Sequence, residues 1–460
     1  MARRAIETRD AAHRERTVTK QTSEDQSALG AMTDQQVETL WQTLEQCDVE
    51  HFEQRCFEIA EQVAEQRSWW QRRWRHRGRE FLLIHPTPPN PDELSRNTLV
   101  ISAFVDAQRP YPTTQAASAS GVCVARGGLL LTHGLAALAK TSERPGAGTN
   151  RRICLLLERR TTESDDLQSD EQQVGQRALE RACAVVSEAG GSPVDAKDFW
   201  LCPIPRAQKA ANWFELKAQG QGQDPGARRG QSAVELLIEA LEKIRLYEQP
   251  LKSTQLTESL IEQATTKASA EMKAKLRALL DPNLFTNTIE EMGHTGDFFR
   301  SILSDSWTVT RLQSFGRLDA TDTMATAVLD CRSVPGTATE QLIATLREVV
   351  GPQISGQLLG ERRAKESNSL CATWSCLQQA VSATWPQALS AATLQTLNAD
   401  SWGWRQRAIP CFGFSPIDLS ANVDAISGWH TGAVHCTSAQ RATGRACFVL
   451  AMMLFMGGPR

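Results

Sequence analysis

Ser68-Trp69-Trp70-Gln71-Arg72-Arg73-Trp74-Arg75-His76-Arg77 interleaves aromatic rings with cations over a single short run. Rings stack on bases and guanidinium groups bind phosphate, so such a run can serve as an anion or single-strand binding patch, or as a partner surface. The alternative is a helix end whose Trp residues pack inward while the Arg residues stay in water. A formal net charge of −3 favours that alternative and makes nucleic acid an unexpected partner. The twelve cysteines are scattered and contain no Cys-x-x-Cys pair. Disulfide frameworks and thiolate metal sites need clustered spacing, so reduced, buried thiols in an intracellular protein are expected. Gly127-Gly128 and Gly457-Gly458 lack the strand–loop–helix glycine spacing that cradles phosphates. Ser, His and Asp are all present, but no nucleophile-elbow frame accompanies them.

The C-terminal fifth carries a more specific pattern. Asp400-Ser401-Trp402-Gly403-Trp404-Arg405 is followed by Ile409-Pro410-Cys411-Phe412-Gly413-Phe414-Ser415-Pro416, then by His430-Thr431-Gly432 and Gly444. Upstream stands Asp330-Cys331-Arg332-Ser333-Val334-Pro335-Gly336. In order and spacing these segments resemble the two-zinc aminoacylase/carboxypeptidase family, which includes acetylornithine deacetylase, succinyl-diaminopimelate desuccinylase and glutamate carboxypeptidase. The resemblance covers roughly residues 36–456. It implies an α/β core domain whose mixed, largely parallel sheet lies between helices, interrupted by a smaller α+β lid or dimerisation domain.

A two-metal hydrolase needs ions about 3.5–4 Å apart, held by His and carboxylate ligands with a position open for water. The family's frame places its ligands here on residues that mostly cannot bind metal. The first ligand, a His two residues before an Asp, falls on Phe104; the orienting Asp survives as Asp106. The bridging carboxylate falls on Val124, and without it two dications lack compensating charge. The Glu-Glu pair falls on Thr161-Thr162, with Glu163 one residue beyond. Threonine is a poor base near neutral pH, and losing a positioned base costs about 10²–10⁴-fold in rate. The acidic ligand before a Pro falls on Cys202. The lid His falls near Asp224, an anion that would repel a developing oxyanion. His430 keeps the final ligand position, Asp400 and Arg332 are kept, and Trp402 replaces the Arg of the turn. No metal is therefore expected. The alternative is zinc in one rearranged site made of His430, Asp106, Cys202 and Glu163.

The elements that must position these residues follow from periodicity. Residues 33–75 show helical spacing behind Thr33 as an N-cap. Asn97–Phe104 and Ile153–Leu157 read as buried strands and Gly127–Ala139 as a helix, which indicates a layered α/β domain. Trp213–Lys217 and Thr326–Cys331 read as strands; Ser232–Tyr247 and Glu340–Val350 read as helices. A long Lys- and Ala-rich helical stretch covers Thr254–Leu280. The expected division is a polar, disordered tail over 1–32, a core domain over 33–205, an inserted lid domain with extra helices over 206–368, and the core again over 369–460. Glu7, Asp10 and Glu15 interrupt the basic residues of the tail, which favours the cytoplasm over a mitochondrial or other organellar location. Ala446–Met456 is too short to span a bilayer and reads as a buried terminal helix.

Fold does not carry function without its site. The sequence points to a catalytically inactive homologue, a structural or regulatory subunit binding itself, an active paralogue or a larger assembly. Two alternatives stay open. One is a single-zinc hydrolase of N-acyl amino acids or peptides, and the other a module that senses an amino acid or peptide.

Overall fold

The computed structural model describes residues 31–47, 51–76, 79–87, 97–105, 126–143, 150–160, 179, 181–196, 198–222, 224, 226, 230–314, 320–368, 371–396, 401–419 and 436–457. Thr33 caps the first helix, Asp34–Glu45. Its hydroxyl accepts from the Gln36 amide at 3.2 Å, and Gln36 Oε1 accepts from the Thr33 amide at 2.8 Å. A second helix, Phe52–Gln66, buries Cys56, Phe57, Ile59, Ala60 and Val63.

Helical spacing does not run on to residue 75. Ser68 takes a left-handed φ of 55°, and Trp70–His76 forms strand β1, antiparallel to β2 (Arg79–His85). The helix-end reading of the Trp/Arg run is thus corrected to a strand. Trp70 and Trp74 share one strand face and pack on a buried cluster that includes Phe81, Leu83 and Trp404. Arg73 and Arg75 occupy the opposite face. The inward packing of the Trp residues stands; the periodicity that delivers it is two, not 3.6.

The main sheet has the order β1-β2-β4-β3-β5-β14, with β3 at Thr98–Phe104, β4 at Arg152–Arg160, β5 at Ala184–Ser187 and β14 at Cys411–Gly413. β4, β3, β5 and β14 are parallel, and β1 and β2 form an antiparallel edge. Runs such as Leu99-Val100-Ile101 are apolar on both faces, as a doubly covered sheet requires. Helices Phe52–Gln66, Arg126–Ser142, Ala372–Thr384 and Ser438–Phe455 share one cluster with it.

A second sheet joins β12 (Lys365–Glu366), β7 (Trp200–Gln208) and β13 (Ala388–Gln395), with β6 (Val194–Asp195) beside β7. The stretch expected as one helix over Thr254–Leu280 is broken. Ala268 is extended and Ser269 caps a new helix, giving Gln255–Lys267 and Ala270–Ala278. These helices and the next two, Phe285–Met292 and His294–Leu303, share a core with β7 and β13, where Leu260, Ile261, Phe299 and Ile302 meet Leu201, Ala207, Ala391 and Leu394.

A third, smaller sheet is wholly antiparallel. Its order is β11 (Ile354–Arg362), β8 (Ala210–Gln219), β10 (Met324–Ser333) and β9 (Ser306–Ser314), with helices Ala233–Leu246 and Thr339–Val350 on one face. The architecture is α/β with a largely parallel sheet between helices, plus a smaller antiparallel α+β unit. Among the described residues no helix is long and apolar enough to cross a membrane. The run Ala446–Met456 lies in the helix Ser438–Phe455, which buries Cys447, Phe448, Ala451, Met452 and Phe455.

Candidate functional site at the ends of the parallel strands

In open parallel sheets, ligands bind beyond the carboxyl ends of the strands. Here β3, β4 and β5 end side by side: Phe104 lies opposite Glu158, and Ser102 opposite Ser187. The amide of Val105 donates to the Glu158 carbonyl at 2.8 Å, fixing the chain just past β3. The helix Arg126–Ser142 starts directly over this point. A Cβ on Gly127 would stand 2.0 Å from the Phe104 carbonyl oxygen, so close approach demands glycine there.

The strand ends are filled by ion pairs. Glu158 is buried and pairs with Arg79, whose guanidinium carbon stands 5.8 Å from the centre of the Phe104 ring. On the other face of the sheet, Glu80 accepts from Arg73 at 3.0 Å, Arg75 at 2.9 Å and Arg159 at 2.8 Å. Burial pushes the Glu80 carboxyl up, but the three guanidinium groups outweigh it and hold the pKa at about 2. Arg73 also donates to Glu61 at 2.8 Å. Two arginines of the Trp/Arg run thus face carboxylates of the protein itself, which weakens a phosphate-binding role.

Glu188, which is buried, follows the last residue of β5. Ala189, Gly190 and Gly191 follow with φ of 73°, 92° and 79°, three successive left-handed residues. Such a run persists only where its surroundings hold it. Ser415 Oγ accepts from the Ala189 amide at 3.0 Å, the Ser415 amide donates to the Gly190 carbonyl at 3.0 Å, and Gly191 donates to the Pro203 carbonyl at 2.8 Å. A Cβ on Gly190 would lie 2.2 Å from Pro205 Cδ. The sequence reading passed over this segment. Its signal, Val185-Val186-Ser187-Glu188 before Ala189-Gly190-Gly191, is a short buried strand ending in an acid and a glycine pair.

The other expected site residues are dispersed. Asp106, Val124, Thr161, Thr162, Glu163, Asp400 and His430 lie outside the described residues. Cys202 is corrected as a ligand position: it sits inside β7 in the apolar cluster that holds Cys376, Leu377 and Cys447, not at a strand end. Burial, with Cys447 adding to it, pushes its thiol well above the ordinary range. Asp224 is exposed in the connection after β8, where Oδ1 accepts from the Gly226 amide at 2.8 Å. Arg332 is engaged within the antiparallel sheet, donating from Nε and an Nη to Asp330 at 2.6 Å each. Trp402, in the short helix Ser401–Gln406, donates from Nε1 to the Arg363 carbonyl at 3.0 Å.

Most of the positions that the resemblance assigns to metal ligands lie outside the described residues. Among the described residues no group of three or more His, Cys, Asp or Glu is placed to hold a metal ion. Phe104 has no donor atom, and a dication at the end of β3 would face the Arg79 guanidinium.

The architecture is similar to that of M20 metallo-carboxypeptidases and dipeptidases, in agreement with the resemblance of the C-terminal block. An M20 family metallo-carboxypeptidase from Sulfolobus solfataricus superimposes with a TM-score of 0.62 at 13% identity, over 92% of this chain and 100% of its own. Human carnosine dipeptidase 1 gives 0.59 at 10% identity, over 92% and 98%. The di-peptidase Dug1p of Saccharomyces cerevisiae gives 0.57 at 11% identity, over 95% and 100%. No family model matches the sequence, and no curated protein matches it. At these identities the likeness concerns the fold.

Proposed function

We propose that the chain is a catalytically inactive relative of the M20 hydrolases that works as a structural or regulatory subunit by binding a protein partner. The observation that carries this is the end of β3, where Phe104, the residue that the resemblance puts at the first ligand position, lies against the buried Arg79–Glu158 pair. A second copy of the chain is the partner its surface favours. β9 is an edge strand of the antiparallel sheet, and Leu312 lies opposite Ala327, on the face that carries the helices. Leu312 is 59% exposed, as is Ile238 at 56% on the helix Ala233–Leu246. An open edge strand that exposes Val309 and Leu312 is suited to strand pairing with another chain.

One observation favours the alternative of a rearranged single-zinc hydrolase: Glu188 places a carboxylate at the end of β5, beside β3. Zinc analysis of the purified full-length protein separates the two. The binding-subunit reading expects no stoichiometric zinc and no turnover of dipeptides or N-acyl amino acids. About one zinc per chain, lost in His430→Ala together with turnover, overturns it. Light scattering tests the partner surface, with Leu312→Lys expected to shift a dimer to monomer.

A further inference from the structure

Gln395 ends β13 with its side chain buried, 3% exposed, and among the described residues neither Oε1 nor Nε2 has a hydrogen-bond partner. Thr393, 2% exposed, has an equally unpartnered Oγ1. Both line a cavity of about 120 Å³ whose apolar walls include Pro203, Pro205, Phe298 and Ile302. Among the described residues no charged side chain lines it. Buried carboxamides are nearly always hydrogen-bonded, because an apolar setting leaves the cost of losing water uncompensated. An amide that keeps both its donor and its acceptor free while facing a cavity is therefore suited to receive something.

The backbone explains why the cavity opens here. Pro203 and Pro205 give β7 no amide hydrogen at two of its positions. The register of β13 on β7 slips between Thr393 and Leu394. The left-handed segment Ala189–Gly191 crosses the same strand, and Gly190 contributes to the wall. A strained segment and an unpartnered amide meeting at one cavity are independent signs of a binding site.

We infer that this cavity binds a small uncharged amide, a primary carboxamide or a lactam with an apolar body. Gln395 presents an acceptor and a donor side by side. The complementary group must carry a donor and an acceptor on the same edge, which primary carboxamides and lactams do and extended trans peptides do not. The Thr393 hydroxyl supplies a third contact. Carboxylates and zwitterions are disfavoured, since none of the described lining residues compensates a buried charge. This inference goes beyond the binding-subunit reading and does not rest on it.

The test titrates the full-length protein with benzamide and 2-pyrrolidinone, using saturation-transfer NMR and calorimetry, with benzoate and toluene as controls. Both amides bind saturably, and benzoate and toluene bind at least about tenfold more weakly. Gln395→Leu removes the amide. Ser301→Phe fills the cavity from the helix His294–Leu303 without touching the amide. Each variant weakens benzamide by about tenfold or more while keeping cooperative thermal unfolding. If one variant does not fold, the other decides. Absence of saturable amide binding, toluene binding as tightly as benzamide, or unchanged benzamide affinity in either folded variant overturns the inference.

Discussion

At the end of β3 a carboxylate and a guanidinium are buried against each other, whereas at the end of β13 a carboxamide is buried with no partner among the described residues. Both groups are polar and both are nearly inaccessible, yet they do opposite work. Glu158 and Arg79 compensate each other and, with Phe104, fill the end of β3. Gln395 compensates nothing and faces a cavity. The free energy of a buried polar group depends less on the group than on whether its partner belongs to the chain. A sealed pair is a structural element, and an unsealed amide is an invitation to a ligand.

The sealed region is broken hardest by removing one member of its pair. Arg79→Ala removes the guanidinium that pairs with buried Glu158, with an expected loss of about 3–5 kcal/mol in urea unfolding. The double variant Arg79→Met with Glu158→Leu recovers most of that, because an apolar pair of similar volume avoids burying charge at all. A loss under about 1 kcal/mol for Arg79→Ala would mean that water reaches Glu158 and that the strand end is not closed.

The same region gives the next largest effect in acid. Glu80 has its folded pKa held at about 2, below the ordinary 4.5, despite burial that pushes it up. A depressed folded pKa contributes stability in full above the unfolded value and loses it as pH falls through the folded one. The window is therefore about pH 4.5 down to about 2, and the size is roughly 3 kcal/mol. Subtracting the unfolding curve of Glu80→Gln from that of the parent, pH by pH, isolates the contribution. A difference that stays flat across the window would show that Arg73, Arg75 and Arg159 do not act on Glu80 as a group.

These regions were unequally legible before the structure. Helices such as Ala233–Leu246 and strands such as Met324–Ser333 carry their period in their own residues, so local reading found them. The C-terminal block carried the fold, because the Ile409–Pro416 segment and its companions resemble a known frame. The Trp/Arg run was misread because Trp70 and Trp74 satisfy a helical spacing and a strand spacing equally well. Cys202 precedes a proline, as the resembled ligand does, but β7 continues through Pro203 and Pro205 to Gln208 and leaves the thiol in its interior. Glu188 was missed because β5 has only four residues. Whether Glu158 or Gln395 finds a partner is decided by strands far away in sequence, and no spacing encodes it.

The unsealed region offers the smallest effect and the sharpest one, because its sign is reversed. Gln395→Leu swaps a carboxamide for an apolar side chain of similar size among apolar walls, and no partner among the described residues is stranded by the change. It is expected to leave the ligand-free protein unchanged or more stable by about 1–2 kcal/mol. Benzamide at concentrations above its dissociation constant should raise the urea midpoint of the parent and leave that of Gln395→Leu where it was. Glu158→Leu alone, measured beside it, removes the carboxylate that pairs with buried Arg79 and should lose stability. Two buried polar-to-leucine changes at the ends of two strands would then move the protein in opposite directions. If Gln395→Leu instead loses as much as Glu158→Leu, the amide has a partner within the chain, and both strand ends are sealed in the same way.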